Sequence, residues 1–211
     1  MHRVRVKICG ITRPGDGIVA AQAGADAIGL VFYPGSSRLV DTATALAIVQ
    51  ALPPFVTSVG LFLDASAAQV RAVLERVPLD LLQFHGTETA AFCEQFERPY
   101  IKAVPMRFEA DVQAYAHDFK HAKALLLDSH GGDKIGGSGE RFDWRRIPAD
   151  LSKPVILAGG LTPDNIASAV HQVRPYGVDV SSGVETAKGI KDARLIERFM
   201  RQLEAGMTTA S

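Results

Sequence analysis

Eight short apolar runs recur along this chain, and the stretches between them repeat their apolar residues at a helical period. The runs are "VKIC", "AIGLVF", "SVGLF", "LLQFHG", "YIKAV", "ALLLD", "PVILAGG" and "GVDVSSG", and they predict strands starting near Val4, Ala27, Thr57, Leu81, Tyr100, Ala124, Pro154 and Gly177. Each interval holds a strand, a crossover helix and two short loops. A two-residue turn can join antiparallel strands, whereas parallel strands need a crossover, usually a helix, so the alternation predicts parallel pairing. Eight strand-first units predict an α/β chain closed into one (β/α)8 TIM barrel, a single catalytic domain over residues 1–211, near the lower size limit for that fold. The runner-up is an open doubly wound sheet. Its early G-x-G-x-x-G turn does not follow the first strand here.

Three intervals specify their helices. "DASAAQVRAVLERV" puts Val70, Val73, Leu74 and Val77 on one face. "LTPDNIASAVHQV" predicts an N-cap at Thr162 with Pro163 in the first turn, and "DARLIERFMRQLE" stripes Leu195, Ile196, Phe199, Met200 and Leu203 along one side. The longest irregular stretch, "SHGGDKIGGSGERFDW", follows the sixth strand directly and reads as a mobile active-site loop.

Lys plus Arg equal Asp plus Glu at 23 each, without the basic surplus that nucleic acid or anionic membrane binding requires. A small-molecule partner is expected instead, with no nucleic acid and no membrane. No apolar run approaches the roughly 20 residues of a bilayer span, and the amino terminus enters a strand pattern without a signal-peptide core, so a cytoplasmic location is expected. The outer faces of the helices can be covered by neighbouring helices or by a second subunit, which leaves monomer or homodimer open. Cys9 and Cys93, far apart, form neither a disulfide framework nor a metal cluster.

In a barrel of this kind the chemistry sits where strands end and the next loops begin. Strand one ends in Cys9. A thiol there serves as base or nucleophile if nearby positive charge lowers its pKa, or else as a small buried hydrophobe. Lys7, two residues earlier, faces the same way, and Asp179 on the adjacent eighth strand is its expected partner. That pair is either structural or holds Cys9 as a thiolate. Asp128 closes "ALLLD" against a dry wall, a setting that raises a carboxyl pKa and suits a general acid, although aspartates after strands also serve as caps. Gly159 and Gly160 at one strand end, with Ser181, Ser182 and Gly183 at the next, can turn bare backbone N–H groups toward a phosphate. Arg38 can take a carboxylate in bidentate fashion or lie solvated. His85 reads as a packing or loop-ordering residue, and Cys93, inside a helical pattern, as core.

Together these segments resemble a family. "KICGIT", "GADAIGLVFYPGSSRLV", "VGLF", "QFHG", "LLLD", "GGSGERFDW", "LAGGLTPDNI" and "GVDVSSGVE" fall in order over nearly the whole chain and resemble phosphoribosylanthranilate isomerase. The resemblance implies an Amadori rearrangement of N-(5-phosphoribosyl)anthranilate in tryptophan biosynthesis, without cofactor or metal. It also implies roles: Asp128 as general acid on the ribose ring oxygen, Cys9 as general base on the neighbouring sugar carbon, Arg38 on the anthranilate carboxylate. Two departures stand out. Ser37 precedes Arg38 where the family more often has proline, and Gly15 and Gly17 replace an acidic and alanine pair, which weakens the start of the first helix.

The histidine-pathway isomerase uses two aspartates, so a first-strand cysteine argues against it. Indole-forming barrels use a lysine-centred motif that Lys7 and Lys102 do not match, and the metal site of ribulose-phosphate epimerases cannot be assembled here. A rival of another class is a phosphosugar-binding barrel without turnover, with Cys9 as a redox sensor.

Overall fold

The computed structural model describes residues 3–106, 109–129 and 142–208. Eight parallel strands close into a barrel in chain order: β1 (Arg5–Cys9), β2 (Ala27–Val31), β3 (Thr57–Phe62), β4 (Leu81–Phe84), β5 (Tyr100–Pro105), β6 (Leu125–Asp128), β7 (Val155–Leu157) and β8 (Gly177–Val180). Every strand begins within a residue of its predicted start. Helices α1 (Pro14–Gln22), α2 (Thr42–Ala51), α3 (Ala67–Leu74), α4 (Ala90–Glu94) and α5 (Val112–Asp118) follow the first five strands, and α6 (Ile166–Val173) and α7 (Ala193–Thr208) follow β7 and β8. After β6 the described residues hold only a 3-10 turn, Trp144–Arg146, in place of the eighth helix that the repeat predicts. The active-site loop expected over 129–144 falls mostly on 130–141, outside the described residues.

Local chemistry explains where the helices start. Asp41, Thr89 and Asp111 each accept a backbone N–H from the first turn of α2, α4 and α5, and Ser66 with Gln69 closes a reciprocal capping box on α3. Pro14 occupies the first turn of α1, where its missing N–H costs nothing, and the helix forms in spite of Gly15 and Gly17. Thr162 caps the segment as expected: its Oγ1 accepts the Asp164 N–H at 3.3 Å, and Asn165 Oδ1 accepts the Thr162 N–H at 2.9 Å in return. The residues between them form a turn, so regular α6 begins only at Ile166.

The strands separate two apolar layers. Ile101, Ala103, Ala124, Leu126 and Ala158, with Leu81 and Ile156 against them, form a small inner cluster, while Val6, Ile8, Leu82, Phe84, Leu125, Leu127 and Val178 join a larger one packed under the helices. With a side-chain period of two, the residues between the outer-layer positions face the barrel axis. Lys7, Cys9, Gly29, Gln83, Asp128 and Asp179 are therefore inward residues. The stripe predicted for α7 is seen, with Ile196, Phe199 and Leu203 buried and Leu195 and Met200 partly so. No helix among the described residues is long and apolar enough to cross a membrane.

One small element was not anticipated. Beyond β8 the chain makes a 3-10 turn, Ser182–Val184, and then an antiparallel hairpin of β9 (Glu185–Ala187) and β10 (Ile190–Lys191). The Thr12 hydroxyl bonds the Gly189 carbonyl, and the Lys191 N–H bonds Asp16 Oδ2. These bonds fasten the hairpin to the loop and helix after β1.

Candidate active site

Register places Lys7 directly opposite Asp179 on β8, and Lys7 Nζ lies 2.9 Å from Asp179 Oδ1, both side chains buried. The pairing expected from strand adjacency is present. Cys9 lies beside it, opposite Gly29 on β2. A Cβ at Gly29 would stand 2.7 Å from Cys9 Sγ and 3.0 Å from Lys7 Nζ, so the absent side chain makes the space that thiol and ammonium share. Burial pushes the Cys9 thiol above its ordinary range, and Asp179 adds to this; Lys7, by charge and hydrogen bond, and Lys191 oppose it. For Lys7 burial works against the charge, but Asp179 and Cys9 outweigh burial and hold the ammonium above its usual pKa. The thiolate is thus scarce and strongly basic. Cys93, wholly buried in α4, has its thiol pushed up to about 12 by burial, the core role expected of it.

On the far side, β6 ends in Asp128, buried at 7 % exposure, with His85 Nε2 3.2 Å from its Oδ2. His85 itself follows β4 and is anchored by its backbone N–H on Phe62 O. Gln83, two residues earlier and facing the same way, sets its Nε2 2.8 Å from His85 Nδ1. An amide nitrogen only donates, so in this arrangement Nδ1 accepts and the ring proton sits on Nε2, close to the carboxylate but without a well-aligned hydrogen bond to it. His85 accordingly lies against Asp128, a contact that its expected packing or loop-ordering role did not name. The sequence offered a signal, since Gln83 and His85 alternate inward where apolar residues would be ordinary.

The glycine and serine clusters meet between these two sides. Gly159 and Gly160 have φ of 82° and 63°, which glycine adopts without strain. A Cβ at Gly159 would crowd Ser129 and come within 2.8 Å of Asp128 Oδ1, while one at Gly183 would strike the Leu161 carbonyl. The loop after β7 is thereby pressed against both the acid strand and the turn after β8. The first N–H groups of that turn, on Ser182 and Gly183, have no acceptor within it.

Arg38 is the largest surprise. The expectation left it either on a ligand carboxylate or solvated, and the structure has it mostly buried and held by Glu185, with Nε 2.8 Å from Oε1 and Nη2 2.7 Å from Oε2. Lys191 Nζ lies 2.7 Å from the same Oε1 and 3.1 Å from the Ser181 carbonyl. Burial works to raise the Glu185 pKa, but the two cations win and hold it below the usual carboxylate range. Gly10, at φ 77°, lets this happen: a Cβ there would run into the Arg38 side chain. Glu185 and Lys191 were missed by sequence reasoning because their hairpin was not foreseen, although Glu185 closes the quoted "GVDVSSGVE".

Lys102, by contrast, faces away from the barrel axis. Its ammonium sits between the sheet and helices, 3.0 Å from Glu88 and 3.3 Å from the Phe84 carbonyl. A cavity of about 760 Å³ lined by Val4, Pro154, Val155, Pro175 and Tyr176 opens at the opposite, N-terminal end of the strands, so cavity volume does not mark the chemistry here.

Comparison with known proteins agrees with this fold. The family described as N-(5'phosphoribosyl)anthranilate (PRA) isomerase matches residues 6–202. The chain belongs to that family. It is an isomerase of tryptophan biosynthesis. The N-(5'-phosphoribosyl)anthranilate isomerase of Pseudomonas putida (strain GB-1) is 57% identical over 204 residues, covering 97% of this chain and 99% of the relative. Among solved structures, the phosphoribosyl anthranilate isomerase of Thermotoga maritima superposes with a TM-score of 0.88 at 39% identity, covering 96% of this chain and 100% of that one. Another isomerase of the family, solved in complex with reduced 1-(o-carboxyphenylamino)-1-deoxyribulose 5-phosphate, gives a TM-score of 0.81 at 36% identity over 96% of this chain and 100% of its own.

Proposed function

We propose that the barrel converts N-(5-phosphoribosyl)anthranilate into 1-(2-carboxyphenylamino)-1-deoxyribulose 5-phosphate, with Asp128 as general acid and Cys9 as general base. Asp128 gives its proton to the ribose ring oxygen as the C1–O bond breaks, and the anilino nitrogen lone pair forms the C1–N iminium. Cys9 as thiolate then takes the proton from C2, and those electrons neutralise the iminium to an enolamine. Tautomerisation moves the enol proton to C1 and leaves a ketone at C2. The sugar carbon that loses hydrogen and the one that gains it belong to the same molecule, so the step needs no outside oxidant or reductant.

The observation that carries the reading is the placement of two buried proton-transfer groups, Cys9 and Asp128, at the ends of β1 and β6, with the Gly159-Gly160 and Ser181-Ser182-Gly183 loops of β7 and β8 between them. A phosphate held by those loops anchors the sugar between acid and base. Arg38 supplies the cation for the anthranilate carboxylate at the other end of the substrate. His85, its Nε2 3.2 Å from Asp128 Oδ2 and its ring held by Gln83, keeps the acid turned toward the ring oxygen. Lys7, held in place by Asp179, stabilises the thiolate form of Cys9 against burial. A cytoplasmic location belongs to the same reading.

The decisive experiment follows loss of anthranilate fluorescence on freshly generated substrate. Turnover without added cofactor, falling by about 100-fold or more in Cys9→Ser and in Asp128→Asn with little change in KM, is expected of groups that act in the transition state. A variant with near-normal kcat removes that residue from the mechanism. Binding of phosphosugar without any turnover would leave a binding barrel.

A further inference from the structure

We infer that Glu185 is a positioning residue that fixes which edge of the Arg38 guanidinium meets the substrate, and thereby sets preference for an arylamine bearing a carboxylate. The inference rests on the proposed role of Arg38. A guanidinium has two edges that fit a carboxylate, one formed by Nε and one Nη, the other by the two Nη nitrogens. Glu185 takes the first edge in bidentate fashion. Among the described residues no group bonds Nη1, so the second edge is the one left for a ligand.

The clamp is built to be stiff. Side-chain exposure is 5% for Glu185, 11% for Arg38 and 1% for Lys191, so neither cation is free to wander in solvent. Oε1 is shared between Arg38 Nε and Lys191 Nζ, which prevents the carboxylate from rotating away from the arginine. Two cations against one anion leave a positive surplus of one, which suits an incoming carboxylate. An ordinary structural ion pair would be neutral. The guanidinium is oriented from its far end, by a hairpin fastened to Thr12 and Asp16, and its stem passes over Gly10.

Orientation matters because a displacement of about 1 Å at a positioned group costs on the order of 100-fold in rate. The test compares kcat/KM for N-(5-phosphoribosyl)anthranilate with kcat/KM for N-(5-phosphoribosyl)aniline, which lacks the carboxylate, in the wild type, Glu185→Asp, Glu185→Gln and Arg38→Met. Glu185→Asp keeps the charge and withdraws the carboxylate by one methylene, so it separates position from charge; Glu185→Gln keeps the length and serves if the shorter side chain unfolds the protein. The expected result is a preference for the carboxylate substrate that falls about tenfold or more in both Glu185 variants, chiefly through KM, while turnover of the aniline substrate is retained. Equal losses on both substrates, or an unchanged preference in the Glu185 variants when Arg38→Met abolishes it, would overturn the positioning role alone. If Arg38→Met leaves the preference intact, Arg38 is not the carboxylate site and the inference falls with that reading.

Discussion

Asp179→Asn strips the carboxylate from a pair in which Lys7 is 6% and Asp179 9% exposed, with 2.9 Å between Nζ and Oδ1. Breaking such a pair from one side costs about 3–5 kcal/mol, because the remaining ion keeps its desolvation penalty and loses the charge that offset it. For a chain of this size each kcal/mol lowers Tm by about 2–4 °C, so a fall of roughly 6–20 °C is expected in a thermal melt followed by circular dichroism. Adding Lys7→Met removes the stranded charge, and most of the lost stability should return. Activity should not return. The double variant has no ammonium to stabilise the Cys9 thiolate, so the ascending limb of its kcat/KM profile should move to higher pH than in the wild type.

The pH dependence of stability gives a second check. Wild-type Lys7 is held above its ordinary 10.5, so its contribution is fully present below that value and is lost only as pH rises through the higher folded one. In Asp179→Asn burial acts without the carboxylate to oppose it and pushes the folded pKa down. The unfolded chain then binds more protons at this site, stability rises with pH, and the deficit against wild type should narrow on approaching about pH 10. A single variant within about 1 kcal/mol of wild type would refute the argument from burial. A double variant that regains turnover along with stability would show that the pair serves the fold and not the thiolate.

Gly29→Ala places a methyl 2.7 Å from Cys9 Sγ, and should cost about 1–3 kcal/mol of stability by overpacking and reduce kcat more than it raises KM, measured by urea unfolding and steady-state kinetics. Gly10→Ala, at φ 77° and against Arg38, should lose about 1 kcal/mol or more and raise KM for the carboxylate substrate. Cys93, wholly buried with its thiol pushed up to about 12, should escape iodoacetamide in the folded protein and be labelled only after unfolding, as mass spectrometry of digested samples would read. Gln83→Leu removes the donor to His85 Nδ1 at similar volume, and is expected to lower kcat with little effect on KM; unchanged kcat would deny the ring a part in orienting Asp128.

What could be read in the sequence was whatever a short period encodes. Strand starts were legible because apolar runs and crossovers have fixed lengths, and the inward positions of Cys9, Lys7, Asp128 and Asp179 followed from alternation once closure set β8 beside β1. Contacts that depend on loops were not legible. Arg38 and Glu185 lie 147 residues apart on segments with no repeating pattern, and nothing local says that a hairpin will lay one across the other. Gly29 looked like part of an apolar strand until its register opposite Cys9 gave it meaning. The cap at Thr162 was legible because it is local, whereas the turn that delays regular α6 to Ile166 was not.

The foreseen and unforeseen polar contacts share a location. Lys7 with Asp179, Arg38 with Glu185, and the Thr12 and Asp16 bonds to the hairpin all join the first two strand–helix units to the last one. A closed sheet has to bring its first and last strands together, and here that seam is lined with buried charge where apolar packing would have been less costly to desolvate. The seam surrounds Cys9, whose thiolate is opposed by burial and by Asp179 and favoured by Lys7 and Lys191. An apolar seam would close the barrel equally well and leave the thiol inert, as it is at Cys93. The charged closure is therefore best understood as the means by which one fold-defining contact between chain ends also tunes a base.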